Sequence, residues 1–111
     1  MNFESKGTRY EGRTEQIEMI KLGDEVRIMR DKSNQFNSNN FIILTCKDRD
    51  LGCVPEELCN AMAPLYDEGR LVFESAKVCL VEPISKRSRH AKKAVLFIEL
   101  RARLSDEFVP D

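Results

Sequence analysis

Short apolar runs separated by polar turns dominate the chain, and most of them show the two-residue period of β-strands. The apolar residues from Ile20 to Ile28 occupy even positions and are interrupted by a Gly-Asp pair. This pattern predicts a turn that enters a strand over residues 25–30. Residues 41–46 (FIILTC) are apolar and β-branched, so they predict a buried central strand.

Four further strands are predicted from short runs bounded by turn residues. Residues 71–81 and 94–103 predict two long strands, residues 51–54 a brief returning strand, and residues 8–10 a short strand near the N-terminus. The intervening segment 31–40 contains four Asn and two Ser, whose side chains compete for backbone hydrogen bonds, so it predicts a loop.

One helix is predicted between the strands. Pro55 suits a first helical position, and the two glutamates after it favour the positive end of the helix dipole. An apolar face follows, formed by Leu58, Met62, Leu65 and Tyr66. We expect Pro64 to bend or divide this helix and Gly69 to end it.

Together these elements predict a mainly β fold, α+β by content: a small OB-like or SH3-like curled β-barrel of about six strands with a helical insertion. The 111 residues fit a single domain over 1–111, with a core over about 6–104 and a frayed tail at 105–111. The chain has no Trp, so this core must rest on Ile, Leu, Val and Met.

Composition narrows the class of protein. No apolar stretch is long enough to span a membrane and no secretory signal opens the chain, so we expect a cytoplasmic protein. Four cysteines lack the paired spacing of a zinc site, and we expect reduced thiols in apolar surroundings, at Cys46, Cys53, Cys59 and Cys79. No metal or cofactor is expected.

Charge is segregated along the chain although the net charge is −1. Residues 85–93 hold five of the 18 basic residues and no acid, leaving 13 basic and 19 acidic residues elsewhere. The five are Lys86, Arg87, Arg89, Lys92 and Lys93. We call this segment the basic loop. It is either a solvated hairpin tip or a set of phosphate contacts that bind without reading sequence.

A second polar cluster combines Arg9 and Tyr10 with the loop residues Asn34, Phe36, Asn37 and Asn39. An aromatic ring beside a guanidinium can stack on an unpaired base, and Asn amides can bond to sugar hydroxyls and base edges. Taken alone, these residue types are also ordinary for loops.

Catalytic chemistry has little support in the sequence. His90, the single histidine, lies within the basic loop, and no glycine-rich phosphate loop occurs. Asp31, Asp48 and Asp50 form the one acidic set on neighbouring loops that a metal-dependent nuclease would need, and turn formation explains them more simply. We therefore expect no enzyme activity.

Five segments, in order, resemble the HIRAN domain family over roughly residues 6–100. Residues 7–12 (GTRYEG) resemble its opening G-x-R-Y-Y-x-G with one Tyr missing, and residues 22–26 (LGDEV) its L-x-x-G-D strand entry. Residues 30–42 (RDKSNQFNSNNFI) resemble the signature R-x-x-x-N-P-Y-D-x-N-A-I. Residues 51–55 (LGCVP) and 63–69 (APLYDEG) resemble L-G-Y-V-P and A-P-L-L-D-x-G.

HIRAN domains occur fused to helicase-like remodelling ATPases and as short stand-alone bacterial proteins, and we expect this chain to be of the stand-alone kind. The resemblance implies capture of the 3′ end of single-stranded DNA. Arg9 would contact phosphate, Tyr10 would stack on the terminal base, Phe36 would support the pocket, and Asn34 with Asn39 would shape the loop.

Asn37 departs from the family, which has Asp at this position to accept a hydrogen bond from the 3′-hydroxyl. An amide can accept that bond but lacks the charge that would repel a 3′-phosphate. Gln35 and Asn40 also replace a Pro and an Ala of the signature.

Two functions from different classes follow. The first is a non-catalytic module that binds single-stranded DNA weakly at 3′ ends, in DNA repair or replication restart, with a helicase or nuclease as a possible protein partner. The alternative is a protein-interaction module that keeps the fold and has lost the end pocket.

Overall fold

The computed structural model describes residues 1–10 and 12–105. Six strands form two three-stranded antiparallel sheets. The first sheet has the order β1 (Asn2–Glu4), β6 (Val95–Leu104), β5 (Leu71–Glu82). The second has the order β2 (Val26–Asp31), β3 (Asn40–Thr45), β4 (Asp50–Cys53). Two helices, α1 (Arg13–Glu18) and α2 (Glu56–Asp67), and a 3₁₀ turn at Ile84–Lys86 complete the described fold.

The predicted mainly β fold of about six strands is confirmed, but the described strands form two sheets rather than the predicted curled barrel. Within the described residues, the two sheets are joined by isolated bridges, Lys6 with Cys53 and Glu25 with Lys77. The two sheets therefore enclose a core between them, but their described strands do not form one continuous ladder of backbone hydrogen bonds. The five strands predicted from residue 25 onward lie within one or two residues of their observed positions.

The core lies where the inner faces of both sheets meet. Strand β6 buries every second residue, Leu96, Ile98 and Leu100, as its period predicts. Phe41 on β3 is fully buried and contacts Tyr66 and Phe73 edge-on, with ring centroids 5.3 and 5.6 Å away. These contacts link both sheets and α2 through one aromatic cluster.

Helix α2 continues through Pro64 as a single element, so the expected division is wrong. The proline removes its own N–H but leaves its carbonyl free to accept from the Glu68 amide, at 3.2 Å. Gly69, at φ 74°, ends the helix as predicted. Its amide and that of Arg70 bond the carbonyls of Tyr66 and Leu65, which is a Schellman closure.

The N-terminal segment differs most from the prediction. Residues 8–10 form a turn rather than a strand, and β1 lies earlier, at Asn2–Glu4. Phe3 is buried, so the core begins before residue 6. Helix α1 was not predicted because its six residues include one apolar side chain, Ile17, which is fully buried.

The cysteine prediction holds only in part. Cys59 is buried, Cys53 and Cys79 are half-buried, and Cys46 is exposed because it follows the last residue of β3 into the turn. No helix within residues 1–10 and 12–105 is long and apolar enough to cross a membrane. The predicted frayed tail lies outside the described residues except for Ser105, whose amide bonds the Arg70 carbonyl at 2.8 Å.

Residues 5–7 cross from one sheet to the other and hold them together. Ser5 donates its amide to Leu96 of β6 at 2.8 Å and its hydroxyl to the Leu51 carbonyl of β4 at 3.0 Å. Lys6 exchanges two backbone hydrogen bonds with Cys53, at 2.8 and 2.9 Å. Gly52 lies directly beneath this crossing at φ 132°, a conformation that favours glycine.

We expect Gly52→Ala to lower the free energy of unfolding by about 3 kcal/mol or more. The new Cβ would lie 2.0 Å from Ser5 Oγ and 2.7 Å from the Lys6 carbonyl oxygen, so the crossing must move. Gly69→Ala is the matched control: it also has positive φ but no atom within 4 Å, so it should cost about 1–2 kcal/mol. Urea unfolding measures both, and equal losses would contradict the role of the crossing.

Candidate nucleic-acid interface

A groove of about 450 Å³ lies between the crossing segment and the loop that precedes β3. Its walls include Asn34, Phe36 and Asn37 from the loop, and Lys6, Gly7 and Arg13 from the N-terminal side. Three of the predicted site residues therefore share one cavity. They meet there because the crossing brings residues 6–7 against β4, next to the loop.

Tyr10 lies beside this groove. A Cβ placed on Gly7 would be 3.8 Å from Tyr10 Cδ2, which puts the ring next to a residue of the groove wall. The Arg9 guanidinium carbon lies 4.9 Å from the Tyr10 ring centroid, and Arg9 Nη2 donates to the Tyr10 hydroxyl at 2.6 Å. Tyr10 as a residue is 52% exposed, so its ring is available for stacking.

The loop is shaped by its own asparagines. Asn34 Oδ1 accepts from the backbone amides of Phe36 and Asn37 at 2.9 and 3.0 Å, and Asn37 Oδ1 accepts from the amide of Asn39 at 3.0 Å. These bonds replace the stiffness that a proline at residue 35 would give. They also leave the Phe36 side chain 88% exposed at the groove wall.

Sequence reasoning missed Asn60, which lies on α2. Its Oδ1 accepts from Asn37 Nδ2 at 3.0 Å and from Asn39 Nδ2 at 3.2 Å. The residues lie more than 20 positions apart in sequence. No local pattern indicates this contact, because it depends on how α2 packs beside the loop.

Arg30 is a second missed residue, although it opens the signature segment. Its Nε and Nη2 bond both carboxylate oxygens of Asp67 at 3.0 Å, and its Nη1 donates to the carbonyls of Ser38 and Asn40 at 2.6 and 3.2 Å. One guanidinium thus ties the loop to the end of α2. The hydrogen bonds and charge of Arg30 hold the pKa of Asp67 below its ordinary value of 3.8.

Arg13 supports the opposite wall of the groove. It is buried, pairs with both carboxylate oxygens of Asp50 at 3.0 and 3.1 Å, and donates to the Gly7 carbonyl at 3.1 Å. Its Nη2 also lies 3.7 Å from Cys53 Sγ, in the same groove. A buried ion pair with this many bonds fixes the position of Gly7.

The basic loop lies beside the N-terminal turn and outside the groove wall. The Thr8 hydroxyl bonds the carbonyl of Ala94, directly after the loop, at 2.9 Å. Arg87 pairs with Glu82 at 3.1 Å and Lys93 with Glu4 at 3.7 Å. Lys86, Arg89 and Lys92 form no ion pair with any residue that the structure describes, and no residue of the loop lines the groove.

Each of the three aspartates that a metal-dependent nuclease would need is paired with or hydrogen-bonded to another side chain of the protein. Asp50 pairs with Arg13, Asp48 pairs with Arg27, and Asp31 accepts from Ser33 and Asn40. Across residues 1–10 and 12–105, no three His, Cys, Asp or Glu side chains are grouped so that they could hold a metal ion. His90 is exposed in the basic loop, with its backbone amide on Ser88 Oγ.

Comparisons with known proteins place this architecture. Residues 1–101 match the HIRAN domain family, and the chain belongs to that family. A crystal structure of a protein from Lactobacillus plantarum superposes with a TM-score of 0.65 at 19% identity, over 89% of this chain and 90% of that one. The HIRAN domain of human HLTF superposes with a TM-score of 0.64 at 17% identity, over 90% of this chain and 73% of that one. No curated protein sequence matches.

The resemblance drawn from five short segments is thus confirmed at the level of the family. The roles of the individual site residues stay predictions.

We expect Asp67→Asn to lower the melting temperature at neutral pH, because it removes the charge that pairs with Arg30. The pKa of Asp67 is lower in the folded state, so the stability it contributes is present above the unfolded pKa and lost as the pH falls below about 4. The variant should therefore differ from the parent at pH 7 and converge with it in acid. Calorimetry over this pH range measures the melting temperatures of this variant and of Glu68→Gln, the control. Equal shifts in the two variants would contradict the prediction.

Proposed function

We propose that this protein is a non-catalytic module that binds single-stranded DNA at its 3′ end, in DNA repair or replication restart. The observation that carries the proposal is the groove whose walls hold Asn34, Phe36 and Asn37. The exposed Tyr10 ring lies next to Gly7, a residue of the opposite wall. Membership of the HIRAN family supports it.

Stacking is the main source of affinity in this proposal. Tyr10 and Phe36 both expose at least half of their surface beside the groove, and every base offers a π-face to such rings. One side of the Tyr10 ring carries the Arg9 guanidinium. A terminal base stacks on the ring while Arg9 meets the adjoining phosphate.

Asn37 recognises the 3′ end of the strand. Its Oδ1 uses one lone pair for the Asn39 amide and keeps a second to accept from a 3′-hydroxyl. A 3′-phosphate has no neutral hydroxyl to donate and carries more charge, so it fits this acceptor less well. Because an amide carries no charge, we expect a preference of only a few-fold.

The basic loop serves the strand upstream of its end. It adjoins Thr8, next to Arg9, and Arg89 and Lys92 have no acidic partner among the described residues. They can neutralise phosphates without reading sequence, and the net charge of −1 keeps the overall binding weak and sensitive to salt.

A protein-interaction module is the second candidate, favoured by one observation. Phe36 is the most exposed large apolar side chain among those described, at 88%, and such a residue also anchors protein contacts. A helicase or nuclease would be a suitable partner under either candidate.

Fluorescence anisotropy at low salt tests the proposal, with a labelled single strand ending in either a 3′-hydroxyl or a 3′-phosphate. We expect tighter binding of the hydroxyl end. Tyr10→Ala should weaken binding by about tenfold, the typical contribution of one stacked base. Leu22→Ala, an exposed apolar residue outside the groove, should leave binding unchanged.

Equal binding of the two strands would overturn recognition of the 3′ end and leave only a general affinity for single strands. No binding, even at low salt, would overturn the proposal and favour the protein-interaction module.

The basic loop gives an independent prediction. Replacing both Arg89 and Lys92 by Gln should reduce the slope of log K against log salt by about 1.4, since each single-strand phosphate contact contributes about 0.7. The change should appear with a strand of about ten nucleotides and vanish with one of three. Lys47→Gln with Arg49→Gln, an equal loss of charge in the turn before β4, is the control. A slope equal to that of the parent on the long strand would remove the loop from the site.

A further inference from the structure

Asn60 is a surface residue of α2 that joins the helix to the asparagine loop by two side-chain hydrogen bonds. It does not line the groove. We propose that Asn60 is a positioning residue that fixes the orientation of the Asn37 amide and so sets the selectivity of the groove for the chemistry of the strand end. This inference rests on the proposed function.

The orientation of the Asn37 amide follows from its neighbours. The backbone amide of Asn39 can only donate, so the Asn37 atom 3.0 Å from it is the acceptor, Oδ1. Nδ2 must then face Asn60, and because Nδ2 can only donate, Asn60 presents its own Oδ1. Asn39 Nδ2 donates to the same oxygen, so two donors hold the Asn60 amide in turn.

This arrangement decides which atoms of Asn37 are available to a strand end. One N–H of Asn37 Nδ2 bonds Asn60 and so holds Nδ2 toward α2. The second lone pair of Oδ1 is then the acceptor left for a hydroxyl donor. If the anchor is removed, the Asn37 amide can turn, so that either N–H of Nδ2 can donate to a 3′-phosphate oxygen. Losing Asn60 should therefore shift selectivity toward the phosphate rather than simply weaken binding.

The two replacements of Asn60 separate this role from a merely structural one. Asn60→Ala removes the acceptor and leaves a residue of high helix propensity, so α2 should persist. Asn60→Asp keeps an acceptor for both Nδ2 groups and should keep Asn37 in place. Glu57→Ala, another exposed position of α2, is the matched control.

The experiment measures the ratio of the Kd for a 3′-phosphate strand to the Kd for a 3′-hydroxyl strand. We expect the ratio to fall about fivefold in Asn60→Ala, the effect of roughly one hydrogen bond. The ratio should be kept or raised in Asn60→Asp, even if the added charge weakens the binding of both strands. It should be unchanged in Glu57→Ala. An unchanged ratio in Asn60→Ala would overturn the inference while leaving end binding intact.

Hydrogen exchange gives a second readout that needs no DNA. The Asn39 amide should exchange faster in Asn60→Ala, because the Asn37 oxygen that protects it loses its anchor, whereas the Phe36 amide, held by Asn34, should not change. If the parent protein shows no end preference, the proposed function fails. The Asn39 rate then still tests the positioning, and an unchanged rate in Asn60→Ala overturns it.

Discussion

The passage of residues 5–7 from one sheet to the other is the constraint on which the rest of this structure depends. The two sheets share no continuous ladder within the described residues, so the backbone bonds of Ser5 and Lys6 to β6 and β4 close that side of the molecule. That closure is possible because residue 52 has no side chain beneath the crossing. Because the backbones of residues 5–7 and Gly52 pack this closely, the crossing fixes where the chain enters the N-terminal turn.

The groove is a by-product of this closure. Once Lys6 pairs with Cys53, Gly7 reaches the edge of β4, where Arg13 bonds its carbonyl and Asp50 neutralises the guanidinium. The opposite wall is fixed from α2, through Arg30 with Asp67 at one end of the loop and Asn60 at its centre. The hydrogen bonds of Arg13, Arg30 and Asn60 thus hold the wall residues in place, which is how binding sites gain precision.

The sequence predicts the strands of the two sheets more completely than it predicts the residues of the site. Strands β2 and β6 follow from a two-residue period, and β3 follows from an apolar, β-branched run that is buried on both faces. Helix α1 could not be found this way, since Ile17 alone enters the core and a single residue has no period. Residue chemistry and family resemblance predict the groove residues Asn34, Phe36 and Asn37, and Tyr10 beside them. They do not predict Asn60, Arg30 and Arg13, because these act through contacts between distant segments that no local pattern encodes.

The departure at Asn37 is best understood together with its surroundings. A carboxylate at this position would face Asn60 Oδ1, and the repulsion between two acceptors would turn the Asn60 amide around. That turn would present Nδ2 of Asn60 to Nδ2 of Asn39, which also only donates, so one bond gained would be offset by another lost. The amides at residues 37, 39 and 60 therefore form a mutually consistent set, in which one substitution changes what its neighbours require. A charged acceptor at residue 37 would therefore conflict with α2 as well as with the loop.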